Sequence, residues 1–268
     1  MEHVSNDTGS LLTVVSFPRK PTLFGTPARV DKRELLDDPV TSNAEFAGTF
    51  RDIARINRFL GGTSAVLSAL TPLVAEAVAG NKKPIRILDI GTGSGDIPRS
   101  ISRAASRGHF GDAGHSLQIT ATDAHPKVLK LARALTPSSH HPAITVTHAD
   151  ALALPFADGA FDIALCSQTL HHFCPNDCVR ILREMSRVTT TGFIINDLIR
   201  SRIAAALISV WTGVTFAHRL TRHDAPTSVL RAYLPDEYAE LARAAGLLRI
   251  TVRRVPIYRA VLIHRKNG

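Results

Sequence analysis

Cysteine is scarce in this sequence, and its scarcity limits the kind of protein the chain can form. Only three cysteines, Cys166, Cys174 and Cys178, occur in 268 residues. So few cannot build a disulfide-dense scaffold, and they are typical of a reducing compartment. The first twenty residues also lack the basic region and long apolar run of a secretory signal peptide. We therefore expect a cytoplasmic protein.

The sequence also lacks an uncharged run that is long enough to cross a bilayer. The run at residues 203–217 has 15 residues, whereas a membrane-spanning helix needs about 20. A buried or lid helix is the expectation for this run, and no transmembrane segment is predicted. An interfacial helix is the alternative, because four arginines flank the run: Arg200, Arg202, Arg219 and Arg222.

Acidic residues are few in the C-terminal quarter, where most of the net charge of +9 resides. From Leu198 onward there are twelve Lys or Arg residues and four acidic residues. A positive face of this kind could bind nucleic acid, anionic lipid or an acidic substrate. The arginines are scattered singly, however, without a basic block or an appended RNA-binding module, so we expect no nucleic-acid partner.

Short apolar strands alternate with helical patterns of about 10–15 residues from residue 85 onward. This alternation implies crossover connections and a mostly parallel sheet that is covered on both faces. The last stretch, LRITVRRVPIYRAVLIHRK, predicts two strands that turn near Pro256 and close the sheet edge antiparallel. We therefore predict an α/β fold with a seven-stranded, mostly parallel sheet, an antiparallel C-terminal hairpin and a helical lid.

The chain divides into three predicted regions. Residues 1–30 mix Ser, Thr, Pro and Gly without a period, which indicates a flexible N-terminal arm. Residues 31–82 carry apolar residues at helical spacing and predict N-terminal helices that cover the site. Residues 83–268 form the predicted core, with the lid segment at residues 201–233.

Three glycines follow the first predicted strand in the stretch ILDIGTGSGDIP, residues 87–98. Gly91, Gly93 and Gly95 make a G-x-G-x-G pattern, which is neither the G-x-G-x-x-G of dinucleotide sites nor the lysine-containing P-loop. The next helix begins with Asp96, and a carboxylate at a helix N-terminus occupies the place that a phosphate prefers. The loop therefore predicts a ligand that places no phosphate there.

Three motifs, each at the end of a predicted strand, resemble in order those of class I S-adenosylmethionine-dependent methyltransferases. ILDIGTGSGD is similar to the loop that passes under the methionine part of the cofactor. TATDAHPKVLKLA places Asp123 where the family binds the ribose hydroxyls, and HADALALPFADGAFDIALCSQTLHHF places Asp150 and Ala151 beside the adenine. Carboxylates suit these positions because a diol and an exocyclic amine are donors. The resemblance implies S-adenosylmethionine as the cofactor and the following binding residues: Asp89, Gly91, Thr92, Gly93, Gly95, Asp123, Ala124, Asp150, Ala151 and Ser167.

Further segments resemble the small-molecule methyltransferases of quinone biosynthesis and of bacterial clusters that contain a type III polyketide synthase. They are RDIARINRFLGG, LPFADGAFD, LHHF, REMSRVTTTGFIINDLIRSR and TRHDAPTSVLRAYLPDEYAELARAAGL, and the resemblance covers about residues 50–268. It implies methyl transfer to a phenolic, polyketide or quinone-like aromatic acceptor, with oxygen as the expected nucleophile. Ring-carbon methylation, an RNA or protein methyltransferase, and a catalytically silent cofactor-binding protein are the alternatives.

Methylation of a phenol needs a base at neutral pH, because the phenol pKa is about 10, and histidine is the usual choice. LHHF supplies His171 and His172, and RHDAPTSVLR supplies His223 in the predicted lid. Adjacent residues that leave a strand point apart, so at most one of the paired histidines should face the substrate. The residues expected to contact the substrate are Arg58, Asn196, Arg200, Asp224 and Arg231.

A metal site can be drawn from His171, His172, Cys174 and Cys178, which lie within eight residues. Structural zinc sites usually gather two separated pairs, and one short segment would struggle to close a tetrahedron. We therefore expect no metal. The apolar residues 203–217 predict a lipophilic acceptor if they line the pocket, and the oligomeric state is left open.

Overall fold

Seven strands form one sheet in the computed structural model of the protein, which describes residues 26–32, 34–37, 42–80, 84–141, 143–215 and 218–266. The strands are β1 (Ile85–Ile90), β2 (Leu117–Asp123), β3 (Ile144–His148), β4 (Phe161–Ser167), β5 (Thr189–Leu198), β6 (Ile250–Val255) and β7 (Arg259–Arg265). Their order across the sheet is β3-β2-β1-β4-β5-β7-β6.

Eight helices surround this sheet within the described residues. They are α1 (Asn43–Phe59), α2 (Gly62–Ala79), α3 (Asp96–Ser106), α4 (Pro126–Leu135), α5 (Pro175–Val188), α6 (Arg202–Val214), α7 (Arg219–Arg231) and α8 (Pro235–Ala244). Short 3-10 turns occupy Leu35–Asp37, Gly111–Ser116 and Leu170–His172.

The strand directions place the carboxyl ends of six strands, all but β7, at one edge of the sheet. β1 pairs in parallel with β2 and β4, β2 with β3, and β4 with β5, whereas β7 runs antiparallel to β5 and β6. The chain order reverses between β1 and β4, which is where open α/β sheets bind their ligands. The predicted sheet, with its antiparallel hairpin turning at Pro256, is confirmed.

Both faces of the sheet are buried, as near-continuous apolar strands such as β1 require. Leu88 and Ile90 belong to the core that α5 and α8 cover, and Ile85 and Ile87 belong to the core that α2 and α3 cover. Among the described residues, α2 is the one helix that is long and apolar enough to cross a bilayer by length and composition. Its residues Leu70 and Leu73 are fully buried in the second core, which accounts for its apolar character.

The lid and arm predictions fall partly on described residues. Helix α6 spans residues 202–214, whereas the predicted helix spans residues 203–217, of which 216–217 lie outside the described part of the chain. Residues 1–25 of the predicted arm also lie outside it, whereas residues 26–30 run along α7, where the Val30 amide donates to the Leu230 carbonyl at 3.2 Å. Strand β5 begins at Thr189, which pairs with Phe161 of β4.

Two glycine-to-alanine substitutions provide a matched test of the β5–β7 pairing. A Cβ added at Gly192 in β5 would lie 2.1 Å from the His264 carbonyl oxygen in β7, so Gly192→Ala must displace the strand. We expect a loss of about 2 kcal/mol or more in the free energy of unfolding, measured by denaturant titration. Gly213→Ala in α6 meets no atom within 4 Å and should instead stabilise the protein by about 0.5–1 kcal/mol. Equal effects of the two changes would contradict this packing.

Candidate active site

A cavity of about 580 Å³ opens at the carboxyl edge of the sheet. Its floor is formed by the residues that follow β1, β2 and β4, and its cover by α1, α6 and α7. Residues 26–37 also reach the cover, where Glu34 and Leu36 line the cavity. The fold therefore places the predicted lid and N-terminal helix over the end of the sheet where a ligand is expected.

The glycine loop after β1 has a backbone that few other residues could adopt. Gly91 and Gly93 have φ angles of 67° and 55°, in the left-handed region. A Cβ at Gly91 would lie 2.4 Å from the Thr169 hydroxyl, and one at Gly93 would lie 3.0 Å from the Phe50 ring. These glycines therefore let the β4 loop and α1 pack directly against the loop that lines the cavity.

Three carboxylates, Asp89, Asp96 and Asp123, line one end of the cavity. Asp89 is buried, and its Oδ2 has no hydrogen-bond partner among the described residues. Burial raises the pKa of Asp89 to about 8, and the charges of Asp96 and Asp123 act in the same direction. Burial also raises the pKa values of Asp96 and Asp123. This end of the cavity therefore favours a cationic ligand, whose charge would stabilise the carboxylates.

Asp123 ends β2 and Asp150 follows β3, as the sequence predicts. Asp123 accepts hydrogen bonds from the Gly93 amide at 3.2 Å and the His125 amide at 2.9 Å. Asp150 accepts one from the Leu152 amide at 2.9 Å. Nine of the ten predicted cofactor residues line the cavity; Gly95 does not, because it precedes α3 as its N-cap.

His171 also lines the cavity, from the 3-10 turn after β4, and is buried between two carboxylates. Its Nδ1 donates to Asp197 Oδ1 at 2.7 Å, and its Nε2 is 3.7 Å from Glu34 Oε1. Burial alone would lower the pKa of His171, but Asp197 and then Glu34 outweigh it and raise the pKa to about 9. His171 is therefore a cation at neutral pH.

His172 has the opposite protonation. Burial and the positive charge of His171 lower the pKa of His172 to about 4, so the imidazole is neutral at pH 7. The two rings are 4.3 Å apart, and the His172 side chain is 29% exposed, toward the cavity that it lines. Although burial acts against it, His172 and His171, which are both charged at the low pH where Glu34 titrates, lower the pKa of Glu34 to about 2. One charged and one neutral imidazole thus lie side by side.

Glu34 is a site residue that the sequence did not reveal. It belongs to a short segment that α7 holds in place: the Leu35 and Leu36 amides donate to Asp224 at 2.8 and 2.9 Å. The Ser228 hydroxyl donates to Glu34 Oε1 at 2.6 Å. Nothing in the local sequence marks Glu34, because its partners lie more than 130 residues away.

Asn57 and Gln168 are two further lining residues without a sequence signal of their own. Asn57 Nδ2 donates to Asp96 Oδ2 at 3.0 Å, and Gln168 Nε2 donates to Asn57 Oδ1. This chain of hydrogen bonds joins α1 to the start of α3 and to the loop after β4.

His223 and Arg58 lie off the cavity, contrary to the expectation that they reach the acceptor. His223 Nδ1 is 2.8 Å from Asp224 Oδ1, and its Nε2 accepts from Lys32 Nζ at 3.2 Å. The Arg58 side chain is exposed beside the Phe59 ring. The lid places Asp224, and not His223, on the cavity.

Asn196, Arg200 and Arg231 are also turned away from the cavity, although the sequence predicts substrate contacts for them. Asn196 donates to the Ser167 hydroxyl at 2.9 Å. Arg200 pairs with Glu237 at 2.7 Å. Arg231 donates to the His172 carbonyl at 2.8 Å. These buried side chains satisfy other groups of the protein and so hold the loops that shape the site.

The donor atoms of Glu34, His171 and His172 lie within 4.8 Å of one another, which is close enough for a metal ligand set. A metal must lie in the plane of each imidazole that binds it, but these rings overlap at 4.3 Å with an angle of 32° between them. Cys174 and Cys178 are not part of this group, and the absence of a metal stays a prediction.

Comparison with known proteins agrees with this arrangement. The methyltransferase domain profile matches residues 88–195. The chain is 30% identical over 184 residues to the demethylmenaquinone methyltransferase of Deinococcus radiodurans, covering 64% of this chain and 70% of that protein. It is 32% identical over 108 residues to the ubiquinone/menaquinone biosynthesis C-methyltransferase of Geobacter sp., covering 40% and 42%. The crystal structure of human N-acetylserotonin methyltransferase shares the fold with a TM-score of 0.58 at 15% identity, over 85% of this chain and 57% of that one.

The fold and the cavity define a Rossmann-like methyltransferase. The chain belongs to the class I S-adenosylmethionine-dependent methyltransferases. It is therefore an enzyme that uses S-adenosylmethionine as its methyl donor.

The residues of the cavity fit this cofactor. S-Adenosylmethionine carries positive charge on its sulfonium and its amino group, and the acidic end of the cavity offers Asp89, Asp96 and Asp123. Two buried polar atoms there, Asp89 Oδ2 and Thr92 Oγ1, have no partner among the described residues. The individual roles of Asp123 toward the ribose and of Asp150 toward the adenine stay predictions.

Proton release on cofactor binding tests the role of Asp89. With a pKa of about 8, Asp89 is mostly protonated in the free protein at pH 7, and a bound cation favours its carboxylate form. S-Adenosylmethionine binding should therefore release protons at pH 7 and tighten as the pH rises toward 8. We expect Asp89→Asn to abolish this release and to weaken binding about tenfold or more, equivalent to one pKa unit of interaction.

Isothermal titration calorimetry in buffers of different ionisation enthalpy measures the released protons directly. Asp112→Asn, at an exposed position of the Gly111–Ser116 turn, is the control and should keep the wild-type release. Binding by the wild-type protein without proton release would contradict the assignment.

Proposed function

We propose that the enzyme methylates a hydroxyl group of a small, lipophilic aromatic acceptor, phenolic or quinone-like. One observation carries this proposal: the cation-favouring end and the neutral His172 line the same cavity. The names of the menaquinone-related relatives support an aromatic acceptor of this class.

The wall of the cavity supports a lipophilic acceptor. Helix α1 contributes Phe46, Phe50 and Ile53, and α6 contributes Ile208 and Trp211. The lining of α6 includes no charged side chain, because that helix has no charged residue after Arg202. An aromatic ring with an apolar substituent would bury its surface here.

S-Adenosylmethionine supplies an electrophilic methyl group on a sulfonium, and the transfer breaks the carbon–sulfur bond as a carbon–oxygen bond forms. The protein contributes positioning, because the acidic end fixes the cationic donor while the apolar wall fixes the acceptor. His172 accepts the hydroxyl proton at Nε2 as the carbon–oxygen bond forms, because an imidazole with a pKa of about 4 is too weak a base to ionise a free phenol beforehand. Its Nδ1 faces Glu34 Oε1 at 3.9 Å. The His171 cation nearby stabilises the negative charge that develops on the acceptor oxygen.

Ring-carbon methylation is the second candidate, favoured by the C-methyltransferase among the relatives. The same cavity and the same proton acceptor would serve it, because an activated ring carbon also loses a proton. The two reactions differ in the product and not in the groups that the protein supplies.

A transfer assay with tritiated methyl donor tests the proposal. The purified protein is incubated with alkylresorcinols, hydroxyquinones and, separately, total RNA. We expect label on an aromatic acceptor, and mass fragments of the product separate the oxygen ether from the ring-methylated form. Label on RNA alone would overturn the proposed acceptor class.

Substitution of His172 and His223, one at a time, tests which histidine accepts the proton. His172→Gln should lower kcat by about 100-fold or more while donor binding is retained, because a general base contributes that much. His223→Gln should change kcat by less than about threefold, since its ring lies off the cavity. His140→Gln, at an exposed position, is the neutral control. A large loss of kcat in His223→Gln, together with a retained kcat in His172→Gln, would contradict the assignment of His172 as the proton acceptor.

His171→Gln separates a charge effect from a base effect. The pKa of His171 is raised to about 9 in the folded protein. Its charge therefore stabilises the fold fully below the unfolded pKa of about 6.5, and this stabilisation is lost as the pH rises through 9. The variant should therefore melt at a lower temperature than the wild type at pH 6, with the difference shrinking toward pH 10. Thermal unfolding at both pH values measures this, and a difference that is independent of pH would contradict the charged state.

A further inference from the structure

Exposed apolar side chains gather around the opening of the cavity. Of the nine large apolar residues that are exposed among the described residues, seven lie on α6, at the end of α1 and in the turn between β6 and β7. We call these seven the mouth patch: Phe59, Ile203, Leu207, Val210, Val214, Ile257 and Tyr258. The remaining two, Leu135 and Leu248, lie elsewhere, with Leu248 before β6 at the opposite end of that strand from the turn.

The mouth patch is continuous with the cavity. Leu207, Ile257 and Tyr258 belong both to the patch and to the cavity lining. The Ile199 amide donates to the Tyr258 carbonyl at 2.8 Å, which joins the turn to the segment that leads into α6. On α6 the patch residues recur at spacings of four, three and four, so they share one face of the helix.

The turn between β6 and β7 holds its two apolar side chains at a conformational cost. Ile257 and Tyr258 have φ angles of 62° and 52°, in the left-handed region that favours glycine and asparagine. A β-branched residue is exceptional there, and Ile257 is 50% exposed, so its own burial does not compensate for the strain. Strain of this kind at an exposed position indicates that the side chain acts on something outside the folded chain.

The surroundings of the mouth patch are positively charged. Arg58 adjoins Phe59, Arg202 adjoins Ile203, and Arg254 precedes the turn; all three are exposed. Between Asp197 and Asp224 the sequence has four arginines and no acidic residue, and no acidic residue follows Glu240. An apolar face with a rim of arginines matches the interface of a bilayer that contains anionic lipids.

We propose that the mouth patch docks the enzyme on an anionic lipid surface, with α6 and the β6–β7 turn seated among the headgroups. The cavity then opens directly toward the acyl chains, so a lipophilic acceptor enters without crossing water. That route rests on the proposed function, whereas the docking itself is measured without any turnover.

Sedimentation with extruded vesicles tests the docking. The full chain is mixed with vesicles of phosphatidylcholine alone or with about one third phosphatidylglycerol. We expect at least about tenfold tighter binding to the anionic vesicles, and weaker binding as salt is added. Equal binding to both vesicles, or no binding to either, would overturn the proposal.

Two variants of the mouth patch assign the binding to these residues. Ile257→Asn combined with Tyr258→Gly gives the turn the residues that its backbone favours. We expect an equal or higher melting temperature and at least about fivefold weaker vesicle binding. Val210→Gln combined with Val214→Gln changes α6 outside the cavity lining and should weaken vesicle binding by a similar factor.

Leu248→Asn removes an exposed apolar side chain far from the mouth patch and is the matched control, with wild-type vesicle binding expected. Wild-type binding by both patch variants would overturn the proposal. Light scattering gives a further result that would overturn the proposal. A stable dimer that the α6 variant dissociates would mean that a second copy covers the mouth patch. Because none of these readouts uses methyl transfer, failure of the docking and failure of the proposed acceptor class are distinguishable.

Discussion

The contact between His171 and Asp197 connects the mouth of the cavity to the sheet. Asp197 is near the end of β5 and fully buried, and it accepts from both the backbone amide and Nδ1 of His171. Glu34 faces the same imidazole from the segment that α7 holds. A buried charge that loses its partner costs about 3–5 kcal/mol, so these groups constrain one another's positions strongly. The 3-10 turn, the lid and the N-terminal segment meet at this contact.

The acidic end of the cavity and its pair of histidines complement each other electrostatically. The acidic end has carboxylates whose pKa values are raised by burial, so it gains stability when a cation enters. The histidine pair holds its own cation, His171, and burial together with that charge keeps the neighbouring His172 neutral. A cationic donor and an acceptor that develops negative charge therefore each find the opposite charge. The preference for a ligand of opposite charge comes from the burial of these residues as much as from their identity. The lid therefore contributes to the chemistry by keeping them buried.

The sequence predicted the parts of the site that local patterns specify. The sheet and its C-terminal hairpin form as predicted, and nine of the ten cofactor residues line the cavity because each lies at or after the carboxyl end of a strand in a parallel sheet. Long-range partners could not be predicted. Glu34 has no local pattern, and Arg200 was expected at the substrate but pairs with Glu237, since an arginine's partner is chosen by tertiary packing. His223 was also expected to reach the acceptor, but it lies off the cavity because Asp224 and Lys32 contact its ring.

Two adjacent histidines of the site, His171 and His172, carry different charges at neutral pH. Nitrogen-15 NMR of histidine-labelled protein reports the protonation of each imidazole nitrogen, and the spectra of single histidine variants assign the signals. We expect His171 to be protonated on both nitrogens at pH 7 and to titrate near pH 9, while His172 stays neutral. A His172 that is charged at pH 7, or a His171 that is neutral there, would contradict this assignment of charges.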